Sequence, residues 1–347
     1  MRVLYFGTPQ FASPTLAALL ASHHTVVGVV TQPDRARGRG QQVTFAPVKA
    51  LAVERGVPVL QPERLKAPGV LESLAVLGAD IGVVAAYGKL LPQALLDLPA
   101  RGMVNVHASL LPRWRGAAPI HRAIQAGDTV TGVTIMRVVL ALDAGPMLSR
   151  VEVPIADDAE SDGLEAQLAA AGATLLIDTL NRLEDGAVAE TPQDESLVTY
   201  AARLDRRDSQ IDWTRSARDI HNQIRAMHPW PLTSVMWRGK RLILRASAGT
   251  GDLKVPGYDG GEDRRNDSGN SSNGSDGSAG SDGGSNSSEQ PGTVVSVTAD
   301  ALVVTTGDGA LSITEVQLEG RKAQTAREFI NGSRPVAGDR FEAVAIA

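Results

Sequence analysis

The chain has 347 residues, a length that fits two domains, each large enough to bury its own core. Its apolar fraction is 43%, and no apolar run approaches the roughly 18 residues that a membrane span needs. It contains no cysteine, which excludes disulfides, thiolate catalysis and cysteine-ligated metals. Because a strand-like run, Val3–Phe6, stands where a signal peptide would lie, we expect a cytoplasmic protein without a membrane anchor.

The formal net charge of −5 is unevenly distributed. Residues 257–290, rich in Gly, Ser, Asn and Asp, carry seven acidic residues against two arginines, so the rest of the chain is formally neutral. This stretch lacks apolar periodicity and cannot offset the entropy of ordering, so we predict a disordered insert in a loop. Residues 201–250 carry ten Arg or Lys against four Asp, which predicts a local basic surface.

The first part of the chain alternates predicted strands and helices. The strands are predicted over 3–7, 26–31, 57–60, 81–85 and 103–107, and the helices over 14–21, with Ser13 as N-cap, and 71–77. Such alternation is typical of an α/β domain with a doubly wound, mostly parallel sheet. The first turn, Gly7-Thr8-Pro9-Gln10, is not G-x-G-x-x-G, and no P-loop motif occurs, which disfavours dinucleotide and nucleoside-triphosphate binding.

The pattern changes after residue 187. Before it, strands are predicted over 130–139 and 147–153 and a helix over 162–183; after it come a short helix, 218–227, and the short strands 235–237, 242–245, 293–297, 302–306 and 311–316. Short strands with glycine turns indicate a small β-barrel. We therefore expect a catalytic domain over 1–187, a linker over 188–203 and a C-terminal domain over 204–347, interrupted by residues 257–290.

A set of polar residues follows the predicted strands. Asn105 and His107 lie two residues apart and therefore share a face, at the edge where a parallel sheet binds ligands. Asp143 ends another predicted strand and is expected to reach the same crevice. Individually, a core histidine and a turn-capping aspartate are the commoner explanations. Together, an amide, an imidazole and a carboxylate suit acyl or formyl transfer without a covalent intermediate, whereas the absence of G-x-S-x-G disfavours a serine hydrolase.

A Gly-rich loop with three alternating arginines, Arg35, Arg37 and Arg39, follows the second strand. Composition alone favours a solvated surface loop. Loops of this length inside α/β units are uncommon, however, and they are often functional.

Several long motifs give the chain a family resemblance: it is similar to the methionyl-tRNA formyltransferases. The shared motifs are G-T-P-x-F-A at Gly7–Ala12, T-Q-P-D-R at Thr31–Arg35, G-R-G at Gly38–Gly40, A-Y-G at Ala86–Gly88, N-V-H-x-S-L-L-P-R-W-R-G-A-A-P-I at Asn105–Ile120, T-G-V-T-I-M at Thr131–Met136, L-D-x-G at Leu142–Gly145, I-D-W at Ile211–Trp213 and P-W-P at Pro229–Pro231. The resemblance extends from the N-terminus to about Leu253 and resumes at Pro291.

This resemblance implies a formyltransferase-like, Rossmann-type domain followed by an OB-like barrel. It implies transfer of the formyl group of 10-formyltetrahydrofolate to the α-amine of methionine on initiator tRNA. The implied catalytic residues are Asn105, His107 and Asp143, with Asn105 and protonated His107 stabilising the oxyanion and Asp143 orienting His107. The implied folate contacts are Tyr87, Gly88, Ser109, Leu110, Leu111 and Pro112. No metal is implied.

The resemblance also implies how the tRNA is held. Arg35, Arg37 and Arg39 would contact its acceptor end, and the barrel would contact its backbone. The chain departs from the family pattern in three places. Ala141-Leu142-Asp143-Ala144-Gly145 stands where G-L-D-T-G is usual, with Val139 where an acid is common; Gln41 and Gln42 stand where lysines are common; and residues 257–290 lie outside the pattern. Nothing in the sequence demands more than a monomer.

Two other functions are compatible with parts of this pattern. A folate-dependent formyltransferase could act on a small amine, such as glycinamide ribonucleotide or an amino sugar, but such an acceptor needs neither the arginine loop nor a basic barrel. A catalytically idle RNA-binding protein would require the combination of Asn105, His107 and Asp143 to be accidental. We therefore favour the tRNA formyltransferase.

Overall fold

The structure is a computed structural model, and it describes residues 1–34, 36–37, 42–248 and 290–344. The side chains of residues 36–37 and 42–43 are outside this description. So are Arg35 and Arg39 of the arginine loop and, except for Gln290, the predicted insert over 257–290. The chain divides into two compact units, and the first comprises Met1–Asp208 with Arg225–Pro231, the second Ser209–Ile224 with Leu232–Ala347.

The first unit alternates strands and helices. Its strands are β1 (Arg2–Gly7), β2 (Thr25–Val30), β3 (Ala36–Arg37), β4 (Gln42–Val43), β5 (Val59–Leu60), β6 (Ile81–Ala85), β7 (Met103–His107), β8 (Arg115–Gly116), β9 (Val130–Arg137), β10 (Met147–Pro154) and β11 (Tyr200–Ala201). Its helices are α1 (Ser13–Ala21), α2 (Pro47–Glu54), α3 (Val70–Ala75), α4 (Gln93–Leu96), α5 (Pro119–Gln125) and α6 (Ser161–Glu184).

Seven of these strands form one sheet in the order β10-β9-β7-β6-β1-β2-β5. The five strands from β7 to β5 are parallel. β9 runs antiparallel to β7, and β10 runs antiparallel to β9. The prediction of a mostly parallel sheet is confirmed, and the two antiparallel strands lie together at one edge.

Helices cover both faces of this sheet. Alternate residues of β1 point to opposite sides: Val3 and Tyr5 pack with residues of α1 and α6, whereas Leu4 and Phe6 pack with residues of α3 and α4. Because all four side chains are fully buried, β1 is apolar throughout, as expected for a strand covered on both faces.

Helix α1 starts at Ser13, and Ala12 is its N-cap residue, without a side-chain hydrogen bond. The prediction that Ser13 is the N-cap is therefore wrong by one residue. The Ser13 hydroxyl is buried without a hydrogen-bond partner in the described part of the chain. A short 3₁₀ turn, Gln10–Ala12, precedes the helix and sets its start.

The second unit is a small curled sheet. Its elements are α7 (Ala217–Ala226, the last two residues of which belong to the first unit), β12 (Thr233–Trp237), β13 (Lys240–Ala248), β14 (Val294–Val297), β15 (Leu302–Thr305), β16 (Ala310–Leu318), β17 (Gln324–Thr325), α8 (Ala326–Ser333) and β18 (Phe341–Glu342). The strand order is β14-β15-β16-β13-β12-β18, with β17 on β16, and every pairing is antiparallel.

The two end strands of this sheet meet. An isolated bridge joins Thr293 to Arg340, and the Val294 amide donates to the Asp339 carbonyl at 2.8 Å. The strands enclose a core that includes the buried aromatic residues Trp213 and Phe341. The predicted small barrel is thereby confirmed.

Residues 188–203, predicted as a linker, contain β11, which pairs in parallel with β8, and a 3₁₀ turn at Glu195–Leu197. Among the helices in the described part of the chain, none combines the length and apolar character that crossing a bilayer requires.

Candidate active site

A cleft of about 640 Å³ opens at the carboxyl ends of β1, β6 and β7. Five of the predicted site residues line it: Asn105, His107, Asp143, Tyr87 and Gly88. The remaining walls come from the loop after β1, the start of α5 and the loop between β9 and β10. The position agrees with the general preference of open α/β sheets for ligand binding beyond the carboxyl ends of their strands.

β7 delivers two polar side chains to this cleft because of its alternation. Val104 and Val106 are buried in the larger apolar core of the first unit. Asn105 and His107 therefore point to the opposite face, where both line the cleft. His107 is only 6% exposed, so its imidazole lies largely out of water.

The imidazole of His107 is oriented by a backbone carbonyl. Its Nε2 lies 2.9 Å from the carbonyl oxygen of Trp114, and since a carbonyl only accepts, Nε2 carries the hydrogen. Nδ1 lies 3.7 Å from Oδ2 of Asp143, which is beyond hydrogen-bonding distance but close enough for charge attraction. The hydrogen bond that orients His107 is thus made to Trp114, while Asp143, to which the resemblance assigns the orienting role, lies beside Nδ1.

Trp114 is itself firmly held. Its φ of 66° lies in the left-handed region, its amide donates to Oγ1 of Thr199 at 2.9 Å, and its indole N–H donates to Asp128 at 2.8 Å. The Arg113 guanidinium lies over the indole ring and also pairs with Asp128. These contacts fix the direction of the carbonyl that receives the His107 hydrogen.

Ser109 to Pro112, which the resemblance implies as folate contacts, are not among the residues that line the cleft. Ser109 is fully buried, and its hydroxyl donates to the Arg113 carbonyl at 2.7 Å. Leu111 is also buried, and its amide donates to Oγ1 of Thr134 at 3.1 Å. Leu110 lines a separate, shallower depression. The segment supports the Trp114 turn instead of facing the cleft.

Asp143 reaches the cleft by a different path from the one predicted. Because β9 is antiparallel, its end at Arg137 pairs with Val104 near the start of β7. Asp143 lies six residues beyond that end, in the loop that leads to β10. The loop returns along the cleft, and Gly116 donates its amide hydrogen to Oδ2 of Asp143 at 2.9 Å. The expectation that Asp143 directly ends a strand is therefore wrong, although it does reach the crevice.

The loop after β6 forms the opposite wall. Tyr87 is 2% exposed and packs edge-on against Phe6 at 5.6 Å between ring centroids. Burial raises the pKa of Tyr87 to about 12. Its hydroxyl has no hydrogen-bond partner among the described residues, which marks a polar atom that a bound ligand could satisfy. Gln32 donates to the Tyr87 carbonyl at 2.8 Å, and Gly88 follows with a φ of 77°.

Four exposed apolar side chains belong to the cleft lining: Leu90, Val139, Leu140 and Leu142. Leu90 is 80% exposed and Leu140 is 62% exposed, and both belong to lining loops. An apolar mouth above a deep polar end suits an elongated, partly aromatic ligand better than a small, fully polar one.

Two further titratable residues of the lining were not anticipated from the sequence. Burial, reinforced by Asp162, raises the pKa of Glu165. Burial, reinforced by Arg122, lowers the pKa of His121. Both shifts favour the neutral forms of these side chains. Glu165 lies in the helix predicted over 162–183, which does not distinguish a cleft residue from a core residue, and no element was predicted at His121.

The family models match most of the chain. The Formyl transferase model matches residues 1–180, and the Formyl transferase, C-terminal domain model matches residues 203–259 and 270–334. The solved structure of WlaRD, a sugar 3N-formyl transferase in the presence of dTDP and 5-N-formyl-THF, superposes with a TM-score of 0.63 at 14% identity, covering 93% of this chain and 99% of its own. At that identity the likeness shows the fold alone.

Much closer relatives span nearly the whole chain. The methionyl-tRNA formyltransferase of Symbiobacterium thermophilum is 42% identical over 343 residues, which are 98% of this chain and 95% of its own. That of Pseudomonas entomophila is 41% identical over 335 residues, which are 96% of each chain. With both family models matched and these identities sustained over both units, the chain belongs to the methionyl-tRNA formyltransferase family.

Proposed function

We propose that the protein transfers a formyl group from 10-formyltetrahydrofolate to the α-amine of methionine carried by initiator tRNA. The observation that carries the proposal is the cleft, whose lining joins Asn105 and His107 of β7 with Asp143 of the loop between β9 and β10. Family membership supplies the reaction class, and this set of side chains is suited to it.

The reaction begins with attack of the neutral methionyl amine on the formyl carbon. The formyl oxygen then becomes negative and needs fixed donors. The Asn105 amide and the Nδ1–H of protonated His107 supply them, since Nε2–H of His107 is already bonded to Trp114. The Asp143 carboxylate, 3.7 Å from Nδ1, balances the imidazolium charge. Through water, it relays the proton lost by the attacking nitrogen to N10 as the bond between carbon and N10 breaks.

Folate binding is assigned to the wall formed by Tyr87, Gly88 and the apolar mouth. The buried Tyr87 hydroxyl offers a hydrogen bond to a heteroatom of the pterin, and Gly88 leaves room for a ring to approach the backbone. The exposed side chains of Leu90 and Leu140 would cover the apolar middle of the folate.

The expected basic surface of residues 201–250 is largely neutralised by ion pairs. At least five of its ten bases pair with acids that the structure describes: Arg207 with Asp205, Arg215 with Asp219, Arg238 with Asp339, Arg241 with Glu319 and Arg245 with Glu315. A sixth, Arg225, is buried and donates to the carbonyls of Ala156 and Ala159. A long-range attraction for tRNA therefore has to come from other bases.

Two turns at one end of the barrel provide such bases. Lys240 opens β13, and Arg321 and Lys322 lie in the turn between β16 and β17. Because Leu242 pairs with Leu318, the start of β13 is next to that turn. The three bases are exposed and form no ion pair with any residue that the structure describes. We assign phosphate contacts of the tRNA backbone to them.

The arginine loop remains the proposed contact to the acceptor end. Its Arg37 lies in β3, which pairs with β4. Before the loop, Asp34 pairs with Lys49 of α2, and Gln61 donates to Asp34 at 3.1 Å. These bonds anchor the point from which the loop departs.

The test offers the purified protein labelled 10-formyltetrahydrofolate together with charged initiator tRNA, charged elongator tRNA or small amines. We expect label on initiator methionyl-tRNA, with little on the elongator. Label on glycinamide ribonucleotide or an amino sugar, and none on tRNA, would identify the enzyme as a small-amine formyltransferase. Binding of tRNA without any transfer would point to the non-catalytic alternative.

A further inference from the structure

Asp143 adopts a conformation that requires support. Its φ of 47° lies in the left-handed region, which residues other than glycine occupy only rarely. The carbonyl of Asp143 and that of Gly145 both accept from Nε2 of Gln193, each at 2.8 Å. A primary amide has two N–H bonds, so one nitrogen serves both carbonyls. Gln193 thus bridges the turn that carries the carboxylate.

The amide of Gln193 has only one satisfactory orientation. Its Oε1 accepts from Nε of Arg115 at 2.9 Å, and Arg115 is only 3% exposed. A flipped amide would place its oxygen against two carbonyl oxygens and its NH₂ against the guanidinium. The other guanidinium nitrogens reach the Glu195 carboxylate at 2.8 and 3.3 Å. Arg115 therefore donates both to Glu195 and to Gln193, and Gln193 donates to the backbone at Asp143, so the donor and acceptor of each bond in this chain are fixed.

Arg115 and Gly116 also hold Asp143 from a second side. Gly116, which follows Arg115, donates its amide hydrogen to the Asp143 carboxylate at 2.9 Å. A Cβ atom at Gly116 would lie 2.6 Å from the Ala201 carbonyl oxygen, so the approach requires glycine. Arg115 is held in place by its own amide, which donates to the Thr199 carbonyl at 2.9 Å. The Asp143 carboxylate is thus held by the Gly116 amide, and the Asp143 backbone is held by Gln193.

We propose that Gln193 is a positioning residue for catalysis, acting through Asp143. It does not line the cleft, and it lies in the segment predicted as a linker. By fixing the turn at Asp143 and Gly145, it keeps the carboxylate beside Nδ1 of His107. The proposal rests on the proposed function, because it assumes that Asp143 takes part in formyl transfer.

The first test replaces Gln193 by leucine, which has a similar volume but no polar group. Displacing a catalytic group by about 1 Å costs on the order of 10²-fold, so we expect the single-turnover rate to fall about 10- to 100-fold. The KM values for both substrates should change little, because Gln193 lies outside the cleft. Gln93→Leu is the matched control: Gln93 lies on α4 and its side chain donates to Asp97 at 2.6 Å, so this variant also loses a glutamine side-chain hydrogen bond but should keep the wild-type rate. A Gln193→Leu protein with a lower Tm and the wild-type rate would overturn the proposal.

A double-mutant cycle tests whether Gln193 acts through Asp143 or independently of it. In an Asp143→Asn background, Gln193→Leu should reduce the rate further by less than about three-fold, because its effect runs through the missing carboxylate. If the rate losses of Gln193→Leu and Asp143→Asn multiply in the double variant, the proposal is overturned. If Gln193→Leu does not fold, Gln193→Met takes its place in both measurements. Failure of both variants to fold would make the residue structural and also overturn the proposal.

The outcome is distinguishable from failure of the proposed function. If the wild-type protein does not formylate methionyl-tRNA, the function itself is wrong. If the wild type is active and Gln193→Leu matches it, only the role of Gln193 is refuted.

Discussion

The carboxylate of Asp143 can be tested by removing its charge alone. Asp143→Asn keeps the volume of the side chain and an oxygen that can accept from Gly116, whose amide is 2.9 Å away. What is lost is the attraction to a protonated His107 at 3.7 Å. Near that distance, two charges attract by about 1 kcal/mol in water and about 4 kcal/mol at an effective dielectric constant of 20.

The exposure of the two side chains decides between these figures. His107 is 6% exposed and Asp143 is 15% exposed, so the pair lies mostly out of water. We therefore expect the single-turnover formylation rate to fall by about 10² to 10³-fold, since each 1.4 kcal/mol is about a factor of ten. The KM for folate should change by no more than about three-fold if the carboxylate acts on the transition state.

Rapid-quench measurement of label transfer, at saturating folate and methionyl-tRNA, gives the rate directly. Asp208→Asn is a matched control, because Asp208 is 16% exposed, pairs with Arg122 at 2.7 Å and does not line the cleft. A rate for Asp143→Asn within about three-fold of the wild type, with the control unchanged, would refute the charge-balancing role.

Three further predictions concern other residues. Asn105→Ala should lower the single-turnover rate by about 10² to 10³-fold through loss of one oxyanion donor, and an unchanged rate would remove Asn105 from that role. Burial raises the pKa of Glu165 above its ordinary value of 4.5. The stability of the wild type relative to Glu165→Gln should therefore be greatest below that pH, and it should fall as the pH rises through the pKa of Glu165 in the folded protein. Tm measured against pH should show this decline, and a constant difference would contradict it. Lys322→Ala should flatten the dependence of log tRNA affinity on log salt concentration by about one phosphate contact. The control Arg327→Ala, which breaks an ion pair with Asp300, should leave this slope unchanged. Equal slopes for the wild type and Lys322→Ala would remove Lys322 from the interface.

The central strand could be predicted because its signals are local. Alternation of apolar and polar residues set both the bounds of Met103–His107 and the shared face of Asn105 and His107. Asp143 was expected where a strand ends, but β9 ends at Arg137 and runs antiparallel to β7. The direction of a strand depends on which neighbour it pairs with, and its own residues do not encode that.

The residues that orient the site were not predicted because they act through backbone amides and carbonyls, which almost every residue has. Trp114 offers a carbonyl to His107, and Gly116 offers an amide to Asp143. Gln193 lies 50 residues after Asp143, in a segment without periodic pattern.

One helix start had a signal in the sequence that was not used: Thr325 and Glu328 form a capping box at the start of α8.

The basic surface was overestimated for a similar reason. Summing charges over residues 201–250 ignores acids that come from later strands. Antiparallel pairing of β13 with β16 places Glu315 beside Arg245 and Glu319 beside Arg241. The charge of residues 201–250 in the sequence therefore does not show which bases remain unpaired after folding.

The alanine at position 141 does not disturb the loop that carries Asp143, although glycine is usual there in the family. The left-handed φ angle falls on Asp143 itself, and neither Ala141 nor Ala144 has a positive φ. Gly145 is the position that requires glycine, since a Cβ there would lie 1.9 Å from the Arg137 carbonyl oxygen. Because Gln193 binds the carbonyls on either side of Ala144, the shape of the loop is set by Asp143, Gly145 and Gln193. The carboxylate is thus placed by contacts that are independent of the residue at 141.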